Sequence, residues 1–239
     1  AATAPVDAYG PFGYLAEGSR TNLALQSQTL DNAAWNPNEV AGSGAVTANQ
    51  YVAVDGTTTV DKFTATAGGT NHYITQGSLT TTAAPQTFSQ YLRYVNNRWI
   101  ALVIYDGTGL HYASFDVLNG IVGAVSAGVT SSIQATALSG TYRVIMTVTT
   151  AATAVGQIYI SLNNADLAGL SSYAAAGTET VGLGGAQLEA ASFASTYIPT
   201  TTAAVTRNAD VLTYPTSGNI SGTQGTAYAE ATMAGVSPN

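Results

Sequence analysis

The chain has 239 residues, 46% of them hydrophobic and only 8% charged, with a net charge of −7 and no cysteine. Charged residues ordinarily supply about a quarter of a chain, so this one must cover a sizeable core with Thr, Ser, Asn, Gln and Gly. Disulfides and thiolate metal sites are excluded, and the cations Arg20, Lys62, Arg93, Arg98, Arg143 and Arg207 are too scattered to bind a phosphate backbone or an anionic membrane. No apolar run approaches the ~18 residues that a membrane helix needs.

Residues 1–12 are rich in Ala, Pro and Gly and read as an N-terminal arm. Glu17-Gly18-Ser19 is turn chemistry. Leu23 and Leu25 then alternate with Asn22, Ala24 and Gln26, the period of a half-buried strand, and this stretch is expected to open a β-sandwich. Further strands are predicted within 45–53 and 57–66, briefly at 73–75, and at 87–94, 98–105, 110–117, 121–125, 132–138, 141–148, 156–162 and 179–189. Between them lie the turn signals Asp55-Gly56, Gly68-Gly69, Asn96-Asn97 (a hairpin-type turn), Asp106-Gly107, Asn119-Gly120 and Ser139-Gly140.

Three segments alternate cleanly. Phe88, Gln90, Leu92 and Tyr94 share one face, and Thr87, Ser89, Tyr91 and Arg93 the other. Ala113, Phe115 and Val117 are predicted inward, with Tyr112, Ser114 and Asp116 outward; Ile158, Ile160 and Leu162 oppose Gln157, Tyr159 and Ser161. Residues 163–177 read as a long loop, and 215–239 as a linker with the start of a further module. Short strands with turn pairs at close spacing indicate one all-β, antiparallel sandwich over 13–214.

Five motifs carry a family resemblance. They are Arg20-Thr21-Asn22-Leu23 with Asp31-Asn32-Ala33-Ala34-Trp35; the stretch from Asp55 to Lys62; Gly184-Gly185-Ala186-Gln187-Leu188-Glu189; Ser195-Thr196-Tyr197-Ile198-Pro199-Thr200; and Val205-Thr206-Arg207-Asn208-Ala209-Asp210. In this order they resemble a jelly-roll module of bacteriophage virion proteins of the tail-fibre, head-spike and decoration types. The resemblance implies a jelly roll like those of carbohydrate-binding modules and lectins, displayed on the virion surface as a non-enzymatic structural component. It further implies contact with other virion proteins, a homo-oligomer such as a trimer, and host-surface carbohydrate as a ligand. An accessory module of a polysaccharide-degrading enzyme is the alternative.

The residue types suggest where a sugar would sit. Tyr91, Arg93, Tyr112 and Tyr159 are outward residues whose rings, hydroxyls and guanidinium suit a glycan. The same composition suits a subunit interface. Trp35 offers a flat ring for stacking on a sugar, as does Trp99, although large aromatics also dominate cores. Arg20, Asn22, Glu189 and Arg207 belong to the structural motifs, with Asn22 expected to bond main chain in a bend. The resemblance also suggests a structural Ca²⁺ where first and last strands meet, with Glu17 or Glu189 as oxygen ligands; the alternative is a carboxylate paired with Arg20 or Arg207. His72 and His111 lie on different strands without clustered acids, which argues against zinc. No nucleophile elbow and no Ser/His/Asp set is identifiable, so no catalytic residue is assigned.

Overall fold

A computed structural model of the chain describes residues 16–35, 44–151, 153–167 and 169–211. The predicted arm at 1–12 and the further module at 215–239 lie outside the described residues. The strands are β1 (Arg20–Asn22), β2 (Gly44–Tyr51), β3 (Val60–Ala65), β4 (Tyr73–Thr81), β5 (Pro85–Tyr94), β6 (Trp99–Tyr105), β7 (Leu110–Asp116), β8 (Ile121–Val125), β9 (Val129–Ala135), β10 (Thr141–Thr149), β11 (Ala154–Asn163), β12 (Thr180–Glu189) and β13 (Val205–Arg207). There is no helix among the described residues.

Two antiparallel sheets form a β-sandwich. The six-stranded sheet runs β2-β3-β12-β5-β10-β9 and the five-stranded sheet β4-β11-β6-β7-β8, while β1 and β13 pair separately. The chain passes from one sheet to the other at β3→β4, β4→β5, β5→β6, β8→β9, β10→β11 and β11→β12, which leaves β3-β12-β5-β10 in one sheet and β4-β11-β6-β7 in the other. This is jelly-roll connectivity. The alternating residues of the sequence become the two inner faces: Phe88, Leu92, Val144, Met146, Val181, Leu183 and Leu188 from one sheet meet Ile74, Ile100, Leu102, Ile104, Phe115, Ile158 and Ile160 from the other. Burying side chains of this size stabilises the fold by roughly 1.5–3 kcal/mol each relative to exposure.

Two local expectations are corrected. Strand pairing in the opening stretch ends at Asn22, and the inward side chains are Asn22 and Ala24, both 0% exposed, with Leu23 and Leu25 only half-buried. A polar side chain takes the inner position because its bonds are all met there, as described below. Asn96-Asn97 is a crossover between sheets instead of a hairpin: Asn96 Nδ2 donates to Thr178 O (2.7 Å) and Asn97 Nδ2 to Trp99 O (2.7 Å).

The chain divides into two units. Arg20–Arg207 holds every strand named above. The other comprises Ala1–Ser19 and Asn208–Asn239; within its described part Glu17 N donates to Asp210 Oδ2 (3.0 Å) and Asp210 N to Glu17 O (2.9 Å).

Candidate functional site

The motif residues converge on one clasp. Asn22, at the end of β1, donates Nδ2 to Ala186 O (3.0 Å) and Ile198 O (2.8 Å), and its Oδ1 accepts from Ala24 N and Leu188 N (both 3.0 Å). Two donors and two acceptor sites are the full capacity of a carboxamide, so Asn22 ties its own bend, β12 and the 195–200 segment together. Beside it Gln187 accepts from Ile198 N (2.6 Å) and donates to Glu189 Oε2 (2.8 Å). Glu189, fully buried, accepts from Ser195 N (3.0 Å) and Ser195 Oγ (2.5 Å). The guanidinium of Arg20 lies over the Phe193 ring, 5.0 Å from its centre, and Arg207 stands opposite Arg20 in the β1–β13 ladder. The expectation for Asn22 is met. The oxygens of Glu189 that the resemblance offered to Ca²⁺ are engaged by Ser195 and Gln187, and among the described residues no group of three or more His, Asp or Glu side chains is placed to hold a metal ion.

The four outward residues proposed from sequence do not form one patch. Tyr91 and Arg93 sit on β5 in the six-stranded sheet, whereas Tyr112 on β7 and Tyr159 on β11 sit on the five-stranded sheet. The crossover at Asn96-Asn97 separates them. On the six-stranded sheet the chain itself covers the outer face. Thr87 Oγ1 donates to Ala191 O (2.7 Å), and Arg143 Nη2 donates to Ser89 Oγ (3.0 Å) and Ser195 O (2.7 Å). Tyr91 is held between the Arg143 guanidinium, 5.6 Å from its ring centre, and the edge of Tyr197 at 6.1 Å. Burial raises the Tyr197 hydroxyl to about 12, partly offset by its bond with Ser27. Arg93 lies over the Tyr51 ring at 5.3 Å, a partner that alternation along β5 does not reveal because Tyr51 ends β2, three positions away in the sheet.

Trp35 is not a sugar platform. It is 0% exposed, packs in the core, and donates Nε1 to Leu25 O (3.0 Å) and Gln26 O (3.2 Å). Trp99 is half-buried on the outer face of β6, with Arg98 4.9 Å from its ring centre.

The outer face of the five-stranded sheet is different. Cross-strand register places Thr75, Tyr159, Val103 and Tyr112 in one row and Tyr73, Ser161, Ala101 and Ser114 in the next. Tyr112 and Tyr159 therefore flank Val103 at two strand spacings, about 10 Å. Tyr73 meets Tyr159 edge-on, with centroids 5.4 Å apart. Between these half-buried rings the floor is small and closed: Ala101 and Val103 are 0% exposed, Ser114 0% and Thr75 1%. Among the described residues the Thr75 and Ser114 hydroxyls have no hydrogen-bond partner, which is costly for buried polar atoms. Burial raises the Tyr112 hydroxyl above its ordinary value.

The carboxylates have a common role. Asp61 accepts from Leu30 N (2.6 Å) and Asn49 N (2.8 Å), Asp106 from Thr108 N and Gly109 N (both 2.9 Å), and Asp116 from Leu118 N and Asn119 N (both 3.1 Å). Asp55, Asp166 and Glu179 likewise accept from Thr57 N, Ala124 N and the amides of Ala176, Gly177 and Thr178. Burial works against the charge of Asp116, but Arg98 (Nε 2.9 Å, Nη2 2.7 Å) and Asn119 outweigh it and hold the carboxyl below its usual range. For Asp61 desolvation wins and the carboxyl is raised. His111 Nε2 lies 3.1 Å from Asp106 Oδ2, and His72 Nε2 is 3.0 Å from Tyr173 O.

No protein-family model matches the chain, and no curated protein matches it. Among solved structures it has remote similarity to the catalytic domain of a GH87 alpha-1,3-glucanase, D1069A, in complex with tetrasaccharides, at 13% identity and a TM-score of 0.35. That match covers 77% of this chain and 30% of the glucanase chain. A likeness of that extent carries nothing about function, and nothing in these comparisons points to a phage protein. Fold and class rest on the molecule itself: an all-β, antiparallel sandwich of a six-stranded and a five-stranded sheet.

Proposed function

We propose that the chain is a non-enzymatic structural component of a phage virion surface, of fibre, spike or decoration type, assembled as a homo-oligomer and carrying a carbohydrate-binding face. The virion setting is supported by the ordered motifs from Arg20 to Asp210. The non-enzymatic reading is supported by the use of carboxylates as caps for the chain's own amides. The single observation that carries the binding role is the outer face of the five-stranded sheet, where the half-buried rings of Tyr112 and Tyr159 flank Val103 in one cross-strand row. Aromatic rings present apolar surface to the C–H face of a pyranose, and a tyrosine hydroxyl can exchange bonds with its O–H groups.

The test is adsorption of the purified chain to bacterial envelopes, intact or stripped of surface polysaccharide. The wild type is expected to adsorb to intact envelopes only, and Tyr112→Ala to lose that adsorption while keeping its fold. Equal adsorption of wild type and Tyr112→Ala would remove the binding role from this face.

A further inference from the structure

We propose that β9 is an assembly edge, which pairs antiparallel with β9 of a second copy about a twofold axis through Ile133. The inference rests on the homo-oligomeric assembly proposed above and names its surface.

Each sheet ends in two edge strands: β2 and β9 in one, β4 and β8 in the other. Natural proteins blunt such edges with charges, prolines or bulges, because an open edge is a template for another strand. Three of these edges are blunted. The β2–β3 register shifts between Thr47 and Tyr51, where Asn49 has φ 55°. The β4–β11 register shifts between Gly156 and Ile158, and Ser78 on β4 has φ 59°. The β7–β8 register also shifts, and Ala124 N on β8 is taken by Asp166 Oδ1 (2.8 Å).

β9 has none of these devices. It pairs with β10 without a break from Val129↔Val148 to Tyr142↔Ala135. No charged residue and no proline lies between Asp116 and Arg143.

The free groups of this edge follow from register. Thr136 N donates to Thr141 O, and on the far side of β10 Tyr94 N donates to Gly140 O. Hydrogen-bonded pairs alternate along an antiparallel ladder, so Thr130, Ser132 and Gln134 exchange bonds with Thr147, Ile145 and Arg143. The main-chain groups of Ser131, Ile133 and Ala135 then point away from β10. Among the described residues none of these has a main-chain partner outside the ladder.

This pattern is complementary to its own reverse. Centred on Ile133, a second β9 sets Ile133 against Ile133, and Ser131 against Ala135 in both directions. All the outward groups are then used, in about six hydrogen bonds at two per narrow pair. Small residues oppose small ones, and Ile133, which is only partly buried against the core, meets its own copy. Each copy carries a net charge of −7, so an uncharged edge is where two copies meet with least repulsion.

The register makes the test specific. Ser131→Pro removes an outward N–H and leaves the β10 ladder whole, as an edge strand tolerates. Ser132 of one copy lies opposite Gln134 of the other, and both are exposed. Ser132→Lys with Gln134→Lys therefore places like charges face to face, whereas Ser132→Lys with Gln134→Glu places opposite charges there. Mass would be measured by sedimentation over a concentration series of the full chain, with circular dichroism to confirm the fold.

The expected result is a dimer for wild type and for the Lys/Glu pair. Ser131→Pro and the Lys/Lys pair are expected to weaken it at least about tenfold with unchanged spectra. A monomeric wild type would overturn both this edge and the homo-oligomeric reading. An oligomer indifferent to all three variants, or one of odd number, would overturn the edge alone. If Ser131→Pro unfolds the chain, the two charge pairs decide: equal masses for them overturn the edge, and a monomeric Lys/Lys beside a dimeric Lys/Glu supports it.

Discussion

Replacing Asn22 with Ala removes a side chain that serves four main-chain groups in a site with no exposure. The carbonyls of Ala186 and Ile198 lose a donor, and the N–H groups of Ala24 and Leu188 lose their acceptor. A buried group left unpaired costs about 1–3 kcal/mol, and the two orphaned N–H groups dominate because a carbonyl keeps a second lone pair; the sum is about 3–5 kcal/mol. With a urea dependence of roughly 3 kcal/mol per molar, the unfolding midpoint falls by about 1–1.7 M. The assay is urea unfolding followed by circular dichroism and tryptophan fluorescence. Asn22→Asp keeps the shape but turns donors into an acceptor facing two carbonyls. Its carboxyl is then raised in the fold, so this variant is most stable below the unfolded carboxyl range and loses stability as pH rises through the folded value. An Asn22→Ala loss below about 1 kcal/mol, the worth of one ordinary hydrogen bond, would refute the clasp.

The carboxylates give a pair of opposite signs. Asp61 is raised by burial, so its fold contribution is greatest below the ordinary 3.8 and falls as pH rises above it. Asp61→Asn should gain on wild type as pH climbs from there in urea titrations. Asp116 is lowered by Arg98 and Asn119 against the opposing effect of burial, so its contribution is present above 3.8 and lost as pH falls through the folded value; the deficit of Asp116→Asn should shrink in acid. At Gly182 an added Cβ would lie 2.9 Å from Arg93 Cβ, 3.1 Å from Val60 Cγ1 and 3.2 Å from the Tyr51 ring. Gly182→Ala should cost about 1–3 kcal/mol by overpacking, read as a lowered thermal midpoint. Trp35→Ala should cost about 3–5 kcal/mol as a core truncation, in the same measurement.

Much of the fold was legible because a strand's two faces differ every second residue. The segments from Thr87 to Tyr94, from Ala113 to Val117 and from Ile158 to Leu162 place their side chains as the alternation requires. The motifs were legible as pieces, and the structure gives them one physical reason: Asn22, Gln187, Glu189 and Ser195 complete each other's hydrogen bonds. What alternation does not encode is which sheet a strand joins. Tyr91 and Tyr112 are both outward, yet the crossover after β5 sends them to opposite sides of the sandwich. Nor does it encode when a polar residue takes an inner position. Alternation sets Asn22 on the face opposite Leu23 and Leu25, and the partners that hold it inward lie more than a hundred residues away in the chain. The Thr75, Val103, Tyr112, Tyr159 row is likewise made from four strands, and only the register assembles it.

The outer face of the five-stranded sheet is proposed to bind carbohydrate without cleaving it. Calorimetric titration of the chain with purified bacterial surface glycans, followed by assay of the same mixtures for new reducing ends, tests it most directly. Saturable binding is expected, weakened at least about tenfold (1.4 kcal/mol) by Tyr112→Ala, with no new ends released. Binding that survives Tyr112→Ala unchanged, or glycan shortened by the wild type, would contradict it.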